Sequence, residues 1–282
     1  MIKVNLILGF LGAGKTTLIK SVLQKGILKD EQVVLVVNDY GPENYDSRIL
    51  RKTGVEIVEI TNGCLCCNNQ DGFQKILIEL SHREDIDRII IEPSGLFFPD
   101  QVISEFEKDP LKSFLKLEPI FAVVDMAFLA RTNRAWPPFI SRHIEFADCI
   151  ITNKQEKISA AQSESIKNHL GQINSKALQT NFSAAVENFR YHHQHFSHKI
   201  TTSSDEGHEI KLEVITKNIS FKDIDALKSY FEEQSEILLR AKGIVLIDGK
   251  KVFINYTQSS WEAEEISTSQ PLALLVFTNS TI

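Results

Sequence analysis

The stretch Gly9-Phe-Leu-Gly-Ala-Gly-Lys-Thr16 constrains this 282-residue chain more than any other feature. It fits the spacing G-x-x-x-x-G-K-[ST], in which glycines let the backbone curl so that successive N–H groups point at phosphate oxygens. The context fits as well. An apolar run over residues 4–8 predicts a strand before the loop, and residues 15–24 predict a helix opening directly from it. The positive end of that helix adds to the anion site. Gly9, Gly12, Ala13 and Gly14 are therefore read as a cradle, with Thr17 in the first helical turn. Lys15 is expected to reach the β- and γ-phosphates, and the Thr16 hydroxyl to ligate Mg²⁺.

Alternation of strand and helix patterns continues to about residue 180. Apolar runs predict strands at 33–37, 55–60, 88–91, 120–124 and 150–152, with helices at 74–80 and 158–170. Continuous apolar strands separated by helices imply a parallel sheet covered on both faces. The expected fold is α/β: a P-loop NTPase domain with a doubly wound, mainly parallel sheet, its site at the carboxyl ends of the strands. Near residue 185 the pattern changes. A polar, turn-rich connector over 191–207 leads to a strand at 211–215, a helix at 221–233, strands at 243–247 and 251–256 about an Asp248-Gly249 turn, and a last strand at 272–277. The reading is thus a P-loop domain over 1–190, a His-containing linker over 191–207 and a small α+β domain over 208–282.

Two further strand ends face the same edge. Ile89-Ile-Ile-Glu92-Pro-Ser-Gly95 sets an acid at the end of an apolar strand, followed by glycine. Glu92 is expected to hold Mg²⁺ through water or to orient the attacking water, and the Gly95 N–H to approach the γ-phosphate. Asn38-Asp39-Tyr40-Gly41 follows another apolar strand and reads as a switch segment, with Asp39 a second candidate for organising water. Farther on, Thr152-Asn153-Lys154-Gln155-Glu156 resembles the guanine-reading Asn-Lys-x-Asp pattern with Glu156 in the acidic position. A carboxylate accepts from guanine N1–H and its 2-amino group. Adenine presents an acceptor at N1 instead. Guanine is the expected base.

Asn62-Gly63-Cys64-Leu65-Cys66-Cys67 is foreign to a generic nucleotide hydrolase. Three cysteines this crowded form no disulfide framework and point to metal or redox chemistry. Thiolates at this spacing suit Zn²⁺, Co²⁺ or Cu⁺ and leave coordination positions open. His192, His193, His195 and His198 offer further imidazoles, weaker as a ligand set because an exposed polar connector explains them equally well. The fourth cysteine, Cys149, lies in an apolar run and reads as a small buried hydrophobe. With a formal net charge of -6 the chain lacks the basic excess of a nucleic-acid binder. No apolar run approaches the ~20 residues needed to span a bilayer, and the amino terminus has no signal-peptide pattern. The expectation is a cytoplasmic protein with no nucleic-acid or membrane partner.

Together these motifs resemble the CobW/cobalamin-synthesis-protein family of metal-handling P-loop GTPases. Cys64-Leu-Cys-Cys67 after Asn62-Gly63 is similar to the family's C-x-C-C signature, Glu92-Pro-Ser-Gly95 to its Glu-x-[Ser/Thr]-Gly, and Asn38-Asp-Tyr-Gly41 with Asp46 to its switch. Arg240-Ala-Lys-Gly243 and Trp261 resemble marks of its C-terminal domain. The resemblance implies GTP hydrolysis to GDP coupled to delivery of a metal ion, held at Cys64, Cys66 and Cys67, to a client apo-metalloprotein. It also implies metal affinity set by the nucleotide state, and dimerisation across the nucleotide as one possible assembly. Three departures stand out. Asp39 replaces a preferred Glu, Pro42 replaces an acid (Glu43 follows it), and Glu156 replaces Asp. Two other readings stay open at this point: a metal buffer or sensor with slow GTPase activity, and a redox-switched GTPase. A P-loop kinase fits less well, because it needs no guanine motif and no arginine-rich lid is evident.

Overall fold

The computed structural model describes residues 1–37, 50, 53–60, 70–95, 99–132, 136, 138–190, 210–215, 219–234, 238–257, 260–269 and 272–279. The chain divides into two compact units, Met1–Asp205 and Glu206–Ile282.

The first unit runs β1 (Ile2–Gly9), α1 (Lys15–Gln24), β2 (Val33–Val37), β3 (Glu56–Glu59), α2 (Gln70–Ser81), β4 (Arg88–Glu92), α3 (Pro99–Glu105), α4 (Leu111–Phe114) and β5 (Leu115–Leu117). It continues with β6 (Phe121–Asp125), α5 (Met126–Arg131), α6 (Pro138–Glu145), β7 (Cys149–Asn153), a 3-10 turn (Gln155–Lys157), α7 (Ala160–Ile173), β8 (Leu178–Asn181) and α8 (Phe182–Glu187). Among the described residues the strands form one eight-stranded sheet in the order β3-β2-β4-β1-β6-β7-β8, with β5 beside the first half of β1. Every pairing in it is parallel.

Burial explains the all-apolar strands. Ile7 packs with Leu18, Ile19 and Val22 of α1, and with Phe121 and Phe189, which stack at 4.7 Å. Leu6 and Leu8 point to the opposite face and are equally inaccessible. Both faces of β1 are covered, as a doubly wound sheet requires. The strand order reverses at β1, which has β4 on one side and β6 on the other. Such a switch point opens a crevice at the carboxyl ends of the strands. β5 and β6 are one strand interrupted at Glu118-Pro119-Ile120. The Glu118 N–H still donates to the Val4 carbonyl at 2.7 Å, while Pro119 has no N–H to offer.

The second unit is a six-stranded sheet, again among the described residues. It holds β9 (Ile210–Ile215), β10 (Ser220–Phe221), β11 (Leu238–Ile247), β12 (Lys250–Thr257), β13 (Ser260–Glu265) and β14 (Ala273–Asn279), in the order β13-β12-β11-β14-β9 with β10 parallel to β11. One helix, α9 (Ile224–Glu233), buries Leu227 and Phe231 against Ala241, Val245, Ile254 and Leu274. Phe231 stacks on Tyr256 at 4.5 Å. Asp248 and Gly249 both take positive φ, 50° and 74°, the conformation of a two-residue hairpin turn that matches strand twist. The helix expected from residue 221 starts later. Phe221 pairs with Ile247 as part of β10, and the Asp223 carboxylate accepts the Ala226 N–H at 2.9 Å as the cap. Phe221 is large and β-favouring, and the short polar residue behind it sets the helix start.

No helix among the described residues is long and apolar enough to cross a membrane.

Candidate functional site: a nucleotide pocket at the carboxyl ends of the strands

The loop after β1 is built from its own backbone. The Ala13 N–H donates to the Phe10 carbonyl at 3.1 Å, closing a turn, and the Leu18 N–H to the Gly14 carbonyl at 2.9 Å, starting α1. Gly14 precedes the helix at φ 112°, and no side chain caps it. The first N–H groups of α1 therefore face the crevice, as an anion site requires. Lys15 is buried, and its ammonium donates to the Gly9 carbonyl at 3.1 Å, inside the loop. The Phe10 ring anchors the loop from below, 5.0 Å from Phe128 and 5.1 Å from Phe139.

Glu92 ends β4, as its apolar run predicts, and it is buried. The Thr16 hydroxyl donates to Glu92 Oε1 at 2.8 Å. Two hard oxygens side by side at the helix start suit Mg²⁺, which prefers oxygen ligands and keeps waters of its own. Gly95 sits against the phosphate loop: a Cβ there would lie 2.6 Å from the Leu11 nitrogen and 2.8 Å from the Phe10 carbonyl carbon. Only glycine permits that approach.

The segment after β7 grips the same loop. Asn153 Nδ2 donates to the Ala13 carbonyl at 2.8 Å, and Lys154 Nζ to the Gly12 carbonyl at 2.8 Å. Gly14 is constrained here too, since a Cβ on it would meet Asn153 Nδ2 at 2.5 Å. Glu156 is exposed on the 3-10 turn that follows. Thr17 is exposed on the first turn of α1.

One residue of the site escapes the sequence reading. Asp125 ends β6, is buried, and pairs with Lys154 Nζ at 2.7 Å. The signal was an acid closing an all-apolar strand, the same signal that singled out Glu92. Without a glycine motif behind it, Asp125 looks like an ordinary strand-end turn.

Residues 3–181 match the family described as CobW/HypB/UreG, nucleotide-binding domain. The chain belongs to this family. Among CobW/HypB/UreG relatives, zinc chaperone CobW of Sinorhizobium sp is 38% identical over 136 residues, covering 46% of this chain and 38% of that protein. Zinc-regulated GTPase metalloprotein activator 1 of Schizosaccharomyces pombe is 30% identical over 191 residues, covering 64% and 46%. Zinc chaperone YjiA of Escherichia coli is 25% identical over 271 residues, covering 88% and 83%. The chain thus spans about half the length or less of the first two relatives and most of the third.

The other expected residues of this CobW/HypB/UreG chain fall differently. Asp39, the cysteines Cys64, Cys66 and Cys67, and the histidines His192, His193, His195 and His198 lie outside the described residues. The described residues just before the first two groups are informative. The Ile60 N–H donates to the Val37 carbonyl at 3.0 Å, and Val37 pairs in register with both Glu59 and Glu92. The chain therefore leaves β2 and β3 at the same sheet edge as the phosphate loop. No group of three or more His, Cys, Asp or Glu positioned to hold a metal ion occurs among the described residues. Cys149 is buried within β7, and burial, reinforced by the charge of Asp148, pushes its thiol up to about 12. A thiol so hard to ionise has little nucleophile or ligand character.

Proposed function

We propose that this protein is a GTP-hydrolysing metallochaperone: it binds a transition metal at Cys64, Cys66 and Cys67 and delivers it to a client apo-metalloprotein. The observation that carries the reading is the convergence on one sheet edge of Lys15, Thr16, Glu92 and Asn153-Lys154 with the strand ends at Val37 and Ile60. The names of the relatives, which specify zinc and GTPase, point the same way. Under this reading Lys15 binds the β- and γ-phosphates of GTP, and Gly95 presents its N–H to the γ-phosphate. Glu92 orients the attacking water, and Asp39 is a second candidate for that role. Thr16 and Glu92 would hold Mg²⁺, whose contribution there is neutralisation of phosphate charge. Asn153, Lys154 and Glu156 hold and read guanine. Zn²⁺ is the first candidate cargo and Co²⁺ the second, with the histidines of the 191–207 linker a secondary set of ligands. The cysteine segment follows β3 in sequence and the switch segment follows β2, adjacent parallel strands; an order–disorder change on GTP hydrolysis couples the two segments. The domain division at 1–190, 191–207 and 208–282, a cytoplasmic location and a nucleotide-bridged homodimer complete the proposal.

The test is a Co²⁺ titration followed by thiolate charge-transfer absorbance, in Mg²⁺ with a non-hydrolysable GTP analogue and again with GDP. Tighter binding in one state by tenfold or more, about 1.4 kcal/mol of coupling, is the expected result, together with its loss in Cys66→Ala. Equal affinities in the two states would refute nucleotide-gated delivery.

A further inference from the structure

Asp125 is absent from the roles assigned above, yet its two carboxylate oxygens serve two elements at once. Oδ1 accepts the Phe128 N–H at 2.9 Å and caps α5. Oδ2 receives Lys154 Nζ at 2.7 Å. The same ammonium reaches the Gly12 carbonyl at 2.8 Å. Asp125, Lys154 and the phosphate loop thus form one chain of contacts that links the end of β6 to the end of β7 above the crevice.

Lys154 has two reasons to leave this position if left alone. Its backbone sits in the left-handed region at φ 59°, which is unfavourable for a residue with a Cβ. Its side chain is 14% exposed, and that of Asp125 is 4% exposed. An ammonium withdrawn from water this far is held by a charge-assisted bond to a carboxylate and not by a backbone carbonyl alone. The fold also makes the carboxylate immobile. It closes α5, and α5 packs against both α7 and the Gln155–Lys157 turn that carries Glu156.

We propose that Asp125 is a positioning residue for the guanine nucleotide: through Lys154 it holds the 153–156 segment and the phosphate loop in one geometry before ligand arrives. This rests on the reading of that segment as the base-binding loop. Preorganisation of this kind lowers the ordering cost of binding, so its loss appears in affinity. It leaves Lys15, Thr16 and Glu92 in place, so the chemical step is spared.

The experiment compares wild type, Asp125→Asn, Lys154→Met and the double variant. It measures GDP dissociation constants by calorimetry in Mg²⁺, KM and kcat for GTP hydrolysis, and thermal melting without nucleotide. Asparagine caps helices as well as aspartate does, so Asp125→Asn keeps the α5 cap while removing the charge. The expected result is GDP binding weaker by about tenfold, or 1.4 kcal/mol. KM rises by a similar factor, kcat stays within about twofold, and melting is little changed. The double variant should bind no more weakly than Lys154→Met, because the two residues act as one unit. Wild-type affinity in Asp125→Asn, or losses that multiply in the double variant, would overturn the proposal. A lowered melting temperature with unchanged affinity would reduce Asp125 to a helix cap. Should Asp125→Asn fail to fold, Asp125→Ser, which also keeps a capping oxygen, gives the same comparison. Failure of the wild type to bind either guanine nucleotide would sink the functional reading itself, a different outcome from a silent Asp125→Asn.

Discussion

The two ends of the central sheet bury polar side chains to opposite purposes. At the amino ends, Arg88 of β4 donates to both oxygens of Glu31 and to Asn5 Oδ1. Lys3 joins at 3.2 Å from Glu31, and Asn5 Nδ2 donates to the Pro119 carbonyl at 3.1 Å. These groups satisfy one another. At the carboxyl ends of the sheet, Lys15, Asn153 and Lys154 bond to carbonyls of the phosphate loop, Asp125 serves that loop through Lys154, and α1 begins without a side-chain cap. By contrast, α7 closes its own start with a capping box of Ser159 and Gln162. Polar groups that hold each other stabilise the fold. Polar groups that hold a loop, beside backbone donors left open, prepare a site for a ligand. Residues of the first kind should register in stability, and residues of the second in activity.

The sharpest way to break this comparison is Arg88→Ala. It leaves the buried Asn5 amide oxygen without its Arg88 partner and the part-buried Glu31 with Lys3 and Arg190 alone, so about 1–3 kcal/mol of stability should be lost. GDP affinity of the folded fraction should be unchanged. Urea denaturation and calorimetry measure the two quantities separately, and an affinity loss as large as the stability loss would mean that the two ends are not independent. The counterpart at the other end is Lys15→Ala. GTP turnover should fall by about 10²–10³-fold, as for removal of a donor aimed at developing transition-state charge, with only a small shift in melting temperature. A stable variant with near-normal turnover would remove Lys15 from the chemistry.

Legibility in the sequence follows the same division. Apolar strands and the glycine loop announce themselves. The helix over 15–24 and the strand over 33–37 have the bounds that the hydrophobic pattern indicates, because one alternates faces and the other is apolar at every position. The edge strand β13 lacks such a pattern. Its sequence, Ser-Trp-Glu-Ala-Glu-Glu, carries one large apolar residue, and its strand character comes from pairing with β12. Edge strands are often charged in this way, which blunts pairing with other chains. The short helices α3 to α6 span too few turns to display a 3.6-residue period. At the site, Glu92 was legible through Pro-Ser-Gly behind it. Asp125 was not, because its importance lies in Lys154, 29 residues away. Long-range pairing is a property of the fold and leaves no local pattern.

A finer test uses pH and returns to Glu31. Burial raises the pKa of this carboxyl, but hydrogen bonds and charge from Arg88, and then from Lys3, outweigh burial and hold it below the ordinary value of 4.5. The folded-state value therefore lies below the unfolded one. Glu31 contributes its full stabilisation above about pH 4.5, and that contribution disappears as pH falls through the lower, folded value. The stability difference between wild type and Glu31→Gln should be constant from neutral pH down to about 5.5 and shrink steadily below 4.5. With part of the cluster solvent-screened, the pH-dependent portion is about 1 kcal/mol or less. Urea titrations of both proteins across that range measure it. A difference that persists undiminished at pH 3 would mean that Glu31 acts through packing and hydrogen-bond shape, and that the amino-end cluster is not an ionic anchor. GDP affinity at neutral pH should be the same in both proteins, because Glu31 belongs to the end of the sheet that the nucleotide does not reach.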